Sequence, residues 1–329
     1  MALNSRSSSW LMRLLRDTSQ TCLALFRITL PIALATKLLT DLGVTHWLGE
    51  QLAPCMALFG LPGEMGLVWA TAMVTNLYGG LSVYASLPAS AVLTVAQISI
   101  LTTLMLMAHG LPVELRIAQK AGTRLRCMLL VRLGGAVVTG VLLHQGYRVS
   151  GQLGQLNRAV WTPPTVAAGW GHWLLAQGRN MLSIVLIIFA LLALMRALEA
   201  LGFVDWLAKG LKPVLSVLGM SPAAAPITLI GMLLGLSYGG SLIIQEAQSG
   251  KMAPRDVFLS LVLMGLCHSL IEDTLLMAVV GGHWSAILLA RILFSIAVVM
   301  SFRPLLARLS PAFQNRYFFR LPALKVDRS

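Results

Sequence analysis

The chain states itself twice at one fixed offset, and this repeat constrains its fold more than any other feature. Leu42-Gly43, Trp47-Leu48, Leu52 and Pro54 recur as Leu201-Gly202, Trp206-Leu207, Leu211 and Pro213. The same offset pairs Gly60 with Gly219, His109 with His268, Gly122 with Gly281 and Arg132 with Arg291. Tyr78-Gly79-Gly80 matches Tyr238-Gly239-Gly240 one position later than that offset requires, so one residue is gained and then lost between the anchors. In a chain this rich in Leu and Gly, coincidences of those residues carry little weight. Coincidences of Trp, His and Arg do, and they point to a duplication. In membrane proteins, paired repeats build a central site at their interface.

Composition makes this a membrane protein. The chain is 57% hydrophobic and 11% charged, against roughly a quarter charged in soluble domains. Apolar runs long enough to span hydrocarbon, about 20 residues, occupy 22–42, 91–109, 127–144, 181–201, 257–280 and 284–302. Two more, 65–85 and 223–244, carry a Tyr-Gly-Gly element in their middles. Too few polar residues remain to cover one soluble core. The net charge of +13 does not imply a nucleic-acid partner. The basic residues flank apolar runs, as cytoplasmic anchoring beside anionic headgroups requires. Cys22, Cys55, Cys127 and Cys267 have neither zinc-ligand nor redox spacing and read as small core residues. No metal motif or nucleophile–base set is present, so neither an enzyme nor a cofactor is expected.

The residues divide into a basic amphipathic N-terminal segment (1–22), a first repeat (23–144), a linker (145–180), a second repeat (181–302) and a basic cytoplasmic tail (303–329). Arg13, Arg16, Arg27 and Lys37 break up the first apolar stretch, which argues against a cleaved signal. Residues 9–15 read equally as a surface-lying helix presenting Trp10, Leu11 and Leu14 or as an ordinary flank. Pro163-Pro164 and several glycines mark the linker. Phe313, Tyr317, Phe318 and Phe319 are interleaved with basic residues in the tail, a pattern suited to the headgroup level.

Charge counting decides between two topologies. With eight crossings, Lys and Arg divide as 14 inside and 7 outside, and Arg116, Lys120, Arg124 and Arg126 all face outside. If the two Tyr-Gly-Gly segments dip in and return, each repeat crosses three times and the division becomes 18 inside and 3 outside. The positive-inside rule favours the second arrangement, with both termini in the cytoplasm. An odd number of crossings per repeat inverts the second repeat relative to the first.

The Tyr-Gly-Gly segments form the first candidate site. Paired glycines in an apolar helix release backbone groups and allow a sharp reversal. Irregular backbone at membrane depth is tolerated only where it is buried in protein or lines a watery cavity. Asn76, Tyr78, Gly79, Gly80 and Ser82 in the first copy, with Ser237, Tyr238, Gly239, Gly240 and Ser241 in the second, are therefore candidates to bind a polar solute or ion. Close helix packing through small residues is the competing reading, and it stays open.

The second candidate is the matched element His109-Gly110-Leu111-Pro112-Val113-Glu114 and His268-Ser269-Leu270-Ile271-Glu272-Asp273. Pro112 removes a helical hydrogen bond, so the first copy should unwind or kink there. His268 lies mid-run, where an ionisable group is costly and functional by default. His268 and Glu272, four apart, are expected on one helical face, and with Cys267 they are metal-compatible types, although a metal site needs more ligands. A buried His bonded across helices is the alternative. Glu114 precedes Arg132 by the same interval as Asp273 precedes Arg291. Glu114, Arg132, Glu272, Asp273 and Arg291 are therefore assigned to ion pairing or coupling, with structural pairs between Glu114 and Arg132 and between Asp273 and Arg291 favoured. Lys37 and Arg27 read as snorkelling side chains.

At these residues, together with Gly60-Leu61-Pro62-Gly63-Glu64, the chain resembles the nucleoside-recognition or Gate domain. That domain is shared by the spore maturation A and B membrane proteins of bacteria, with related segments in concentrative nucleoside transporters and the ferrous-iron transporter B. The resemblance covers about 27–140 and 186–299, as though two spore-maturation-type halves were fused. Taken with the charge count, it points to an all-α polytopic membrane protein of two tandem, inverted Gate-type repeats, each with three crossings and a re-entrant Tyr-Gly-Gly hairpin, in the bacterial cytoplasmic (inner) membrane. No Gly-x4-Gly-Lys-Ser/Thr loop occurs, so the iron transporter's GTPase is missing, as are the extra scaffold helices of the nucleoside transporters. Two function classes follow. One is a transporter or gated pore for a small polar, nucleoside-like solute or an ion. The other is a non-transporting assembly or regulatory component that acts through a membrane protein partner or a second copy of itself.

Overall fold

The computed structural model describes residues 2–87, 92–161, 169–250 and 252–320, with the side chains of 2–9, 234 and 236–238 outside that description. Pro88 and Pro163-Pro164 also lie outside the described residues. The first repeat opens with α1 (Ala2–Asp41), a left-handed turn at Gly43, and α2 (Val44–Ala57). A hairpin follows, α3 (Met65–Val74) and α4 (Leu77–Ser86), and then a broken helix, α5 (Val95–Met107) and α6 (Leu111–Lys120). The long α7 (Leu125–Ser150) closes the repeat. The second repeat runs α8 (Trp170–Ala200), α9 (Phe203–Val217), the hairpin α10 (Ala224–Leu234) and α11 (Leu236–Gln248), and the broken helix α12 (Pro254–Leu266) and α13 (Glu272–Val279). A π-helical stretch, Ser285–Ala290, leads into α14 (Arg291–Arg308), and a short α15 (Pro311–Tyr317) follows.

Elements α2 to α5 begin at positions that match the starts of α9 to α12 one for one, at the offset read in the sequence. The breaks repeat as well. Positive φ angles recur at Gly43 and Gly202, Gly60 and Gly219, Gly122 and Gly281. At the break of the split helix, Gly110 (φ 56) corresponds to Ser269 (φ 46). A non-glycine residue in the left-handed region is uncommon, which marks the second break as held by its surroundings.

Among the described residues, five helices are long and apolar enough to cross a membrane: Trp10–Asp41, Val95–Lys120, Leu125–Ser150, Trp170–Ala200 and Ser285–Arg308. This is an all-α polytopic membrane protein. The second repeat's counterpart of Val95–Lys120 is the pair α12 and α13, split by a longer break. The exposed surface is apolar on α1, α7, α8 and α14, where Leu23, Leu142, Leu186 and Leu293 project outward as a lipid-facing wall requires. The helices α5 and α12 are buried along nearly their whole length and form the centre. The repeats interlock there: α12 packs on α7, α11 on α6, α5 on the π-helical stretch, and α1 on α8. An ion pair between Arg196 and Asp17 ties that last contact.

Three boundaries differ from the sequence reading. Helix α1 continues unbroken through the expected division at residue 22, α7 extends beyond 144 to Ser150, and α8 starts at Trp170 rather than 181. The added part of α7 is mainly polar, whereas those of α1 and α8 carry Trp10, Leu11, Leu14, Trp173, Leu174 and Leu175 among their polar residues.

Candidate functional site

The site forms where the two split helices break. Helix α5 ends at Met107, and Gly110 takes the left-handed turn that starts α6, with Pro112 in its first turn, where a missing N–H costs nothing. The Gly110 N–H donates to Ala72 O in the hairpin at 2.9 Å. In the second repeat the Leu270 N–H donates to Met232 O at 2.8 Å, the equivalent tie. Each hairpin thus fixes the break of its own split helix.

These breaks aim His109 and His268 at each other. Their Nε2 atoms lie 3.3 Å apart, although the two histidines belong to different repeats. His109 Nδ1 faces Met105 O at 2.9 Å, and His268 Nδ1 faces Met264 O at 2.8 Å. A carbonyl oxygen only accepts, so each Nδ1 carries a proton and donates it. Neutral rings in that tautomer direct both Nε2 lone pairs into the space between the repeats. Two carboxylates share that space. Glu114 Oε1 lies 3.3 Å from His109 Nε2 and 3.5 Å from His268 Nε2, and Asp273 Oδ2 lies 4.0 Å from His109 Nε2.

Behind the cluster stand two arginines, Arg132 with 1% of its surface exposed and Arg291 with none. Arg132 Nη1 pairs with Glu114 Oε2, and its Nε donates to Met107 O at 3.2 Å. Arg291 Nη2 donates to His268 O at 3.0 Å. A split helix leaves carbonyls without intrahelical partners and a partial negative charge at its C-terminal end. Both guanidiniums fill that role. The expected pair between Glu114 and Arg132 forms. Among the described residues Asp273 makes no such pair with Arg291, because Asp273 faces His109 and Arg291 caps the broken helix.

A second correction concerns Glu272. Four-residue spacing puts it on one face with His268 only if the helix is continuous, but α12 ends at Leu266 and α13 begins at Glu272. The break rotates Asp273, rather than Glu272, into the histidine cluster. Cys267 is buried to one side, among the apolar residues between α9 and α14.

The Tyr-Gly-Gly elements sit close by and are built differently from the expectation. Their glycines lie inside α4 and α11, and the chain breaks just before them, at Thr75-Asn76 and at Gly235. Asn76 caps α4, its Oδ1 accepting from the Gly79 N–H at 2.9 Å. A Cβ on Gly80 would lie 2.8 Å from Ala72 Cβ and Met105 Cε, and one on Gly240 would meet Ile117 Cγ2 at 2.6 Å. Gly79 abuts Thr75, and Gly239 abuts the backbone of Gly231. These glycines let helices approach closely. Ser82 Oγ donates to Tyr78 O in its own helix, and Ser241 lies on an exposed face of α11. The Tyr78 side chain is half-buried and packs against the core of the molecule. The side chains of Ser237 and Tyr238 lie outside the described residues. The direct His109–His268 contact was within reach of the sequence: equivalent residues of two repeats meet when they lie on the axis that relates them.

Helical architecture and a polar cluster buried between two repeats define a class, the polytopic membrane proteins with a site at a repeat interface. Residues 181–284, which contain His268 and Asp273, match the family model described as Gate, nucleoside recognition. Over 285 residues, 86% of this chain and 90% of the relative, the sequence is 27% identical to YvoD, an uncharacterized membrane protein of Bacillus subtilis (strain 168). No solved structure matches.

Proposed function

We propose that the protein is a carrier or gated pore for a small polar solute or an ion, with its site at His109, His268, Glu114 and Asp273. The observation that carries the reading is the 3.3 Å approach of two equivalent histidines between broken helices of opposite repeats. Transporters built from repeats bind substrate between discontinuous helices at such an interface, and ionisable groups at that depth mark solute or ion pathways. The two repeats are inverted in this reading, each crossing three times, in the cytoplasmic membrane with both termini inside. The Gate match allows a nucleoside-like solute as well as an ion.

Purified protein in lipid vesicles, tested for uptake of labelled nucleosides and of metal ions, is the direct experiment. His109→Ala and His268→Ala should each abolish uptake while the protein still inserts and stays monodisperse. Full uptake in both variants, or no uptake of either class by the unaltered protein, overturns the proposal.

A further inference from the structure

We infer that the histidine cluster is a binding site for a first-row divalent transition-metal ion, with His109 Nε2, His268 Nε2, Glu114 Oε1 and Asp273 Oδ2 as its ligands. The inference gives a ligand class to the site of the function proposed above, and the binding it describes stands apart from transport.

Polarity is the first argument. Both Nδ1 atoms are committed as donors to Met105 O and Met264 O, so each ring, when neutral, turns an Nε2 lone pair toward the other at 3.3 Å. The nearest carboxylate oxygens, at 3.3, 3.5 and 4.0 Å, are acceptors too. Four electron-rich atoms converge in a buried space, an arrangement that a proton or a metal ion between them makes favourable.

Spacing is the second argument. Metal–nitrogen and metal–oxygen bonds of about 2.0–2.1 Å in a tetrahedron place neighbouring ligand atoms about 3.3 Å apart. His109 to His268 and His109 to Glu114 are both 3.3 Å, and His268 to Glu114 is 3.5 Å. His109, His268 and Asp273 each offer one ligand atom, and these lie within 4.8 Å of one another. Asp273 is the outlying member: its Oδ2 lies 4.0 Å from His109 Nε2, and its partly exposed side chain must move toward the other three ligand atoms to complete the tetrahedron.

The supporting shell is the third argument. A metal-bound histidine ordinarily donates its other ring N–H to a carbonyl or carboxylate, which fixes tautomer and ring plane. Both histidines do so here. A ligating carboxylate is in turn held by a partner, and Arg132 holds the far oxygen of Glu114. Two imidazoles with two carboxylates suit zinc and its neighbours, whereas magnesium and calcium prefer oxygen throughout.

Untagged full-length protein in detergent, stripped with a chelator, provides the test. Equilibrium dialysis against Zn2+ should give one ion per chain, and titration with Co2+ should give the strong visible bands of a four-coordinate site. His109→Ala combined with His268→Ala should weaken binding by at least about 100-fold, whereas His46→Ala and His283→Ala, outside the cluster, should leave it unchanged. Asp273→Asn covers the case in which the double variant does not fold, and it should weaken Zn2+ binding and alter the Co2+ spectrum. A stripped protein that takes up neither ion, as when a shared proton fills the space, overturns the inference, as does binding that survives the double variant. Zn2+ binding without uptake into vesicles removes the transport reading alone, and nucleoside uptake without metal binding removes the metal site alone.

Discussion

Arg132 and Arg291 are duplicates of one ancestral residue and equally buried, yet the structure predicts that their removal has unequal cost. Arg132 holds Glu114 as well as Met107 O, whereas Arg291 holds a carbonyl, His268 O. Arg132→Met leaves the Glu114 carboxylate, 11% exposed, without its cation. Stranding one partner of a buried ion pair costs about 3–5 kcal/mol. Arg291→Met removes a hydrogen bond from a charged donor, worth about 1.5–3 kcal/mol. The first substitution should therefore cost about 2 kcal/mol more than the second. Adding Glu114→Gln to Arg132→Met removes the stranded charge and should recover most of that difference, giving a coupling energy in the double-mutant cycle of about 2 kcal/mol. Unfolding in mixed micelles with an anionic detergent, with chelator present so that no metal contributes, measures the unaltered protein, both arginine variants, Glu114→Gln and the double variant. Equal costs for the two arginine substitutions, or no recovery on adding Glu114→Gln, would refute the assignment of Arg132 to the carboxylate.

Gly80→Ala should destabilise the protein by about 1–3 kcal/mol, since its Cβ would lie 2.8 Å from Ala72 Cβ and 3.0 Å from Val68 O. Gly134→Ala, mid-helix with nothing within 4 Å, should stabilise by about 0.5–1 kcal/mol, and equal unfolding midpoints for the two would sink the packing role of the Tyr-Gly-Gly element. Topology is tested with single cysteines in a cysteine-free background. Lys120→Cys should react with an impermeant thiol reagent only after the membrane is opened, and reaction in intact cells would reverse the six-crossing orientation.

What the sequence revealed depended on how local the cause was. The break at His109–Gly110 is announced by Pro112, because a missing N–H is a property of one residue. The second break carries no proline. Ser269 at φ 46 is accompanied by the Leu270 N–H donating to Met232 O, a tertiary tie that local propensity does not register. Treating that stretch as one helix put Glu272, rather than Asp273, beside His268. The glycines mislead for a related reason. Glycine pairs serve both chain reversal and close packing, and the outcome is decided by what faces them, here Ala72, Ile117 and Gly231. The π-helical stretch before Arg291 leaves no mark in the sequence, because residues 286–290 are apolar throughout and a shift of register does not disturb such a run.

Duplication explains how a buried polar cluster arises on a chain with so few polar residues. A histidine and a carboxylate near an axis relating two copies become two histidines and two carboxylates at once, and they converge without any segment having to evolve separately toward the other. Divergence then makes the site unsymmetrical. Glu114 is one methylene longer than its counterpart Asp273, and it reaches both histidines while its second oxygen is held by Arg132. Asp273 stands off at 4.0 Å, and Arg291, with no carboxylate to hold, caps the broken helix. One side of the cluster is thus fixed and the other adjustable. For the ion site proposed above, one carboxylate held by an arginine orders the site, and one free carboxylate lets the ion leave.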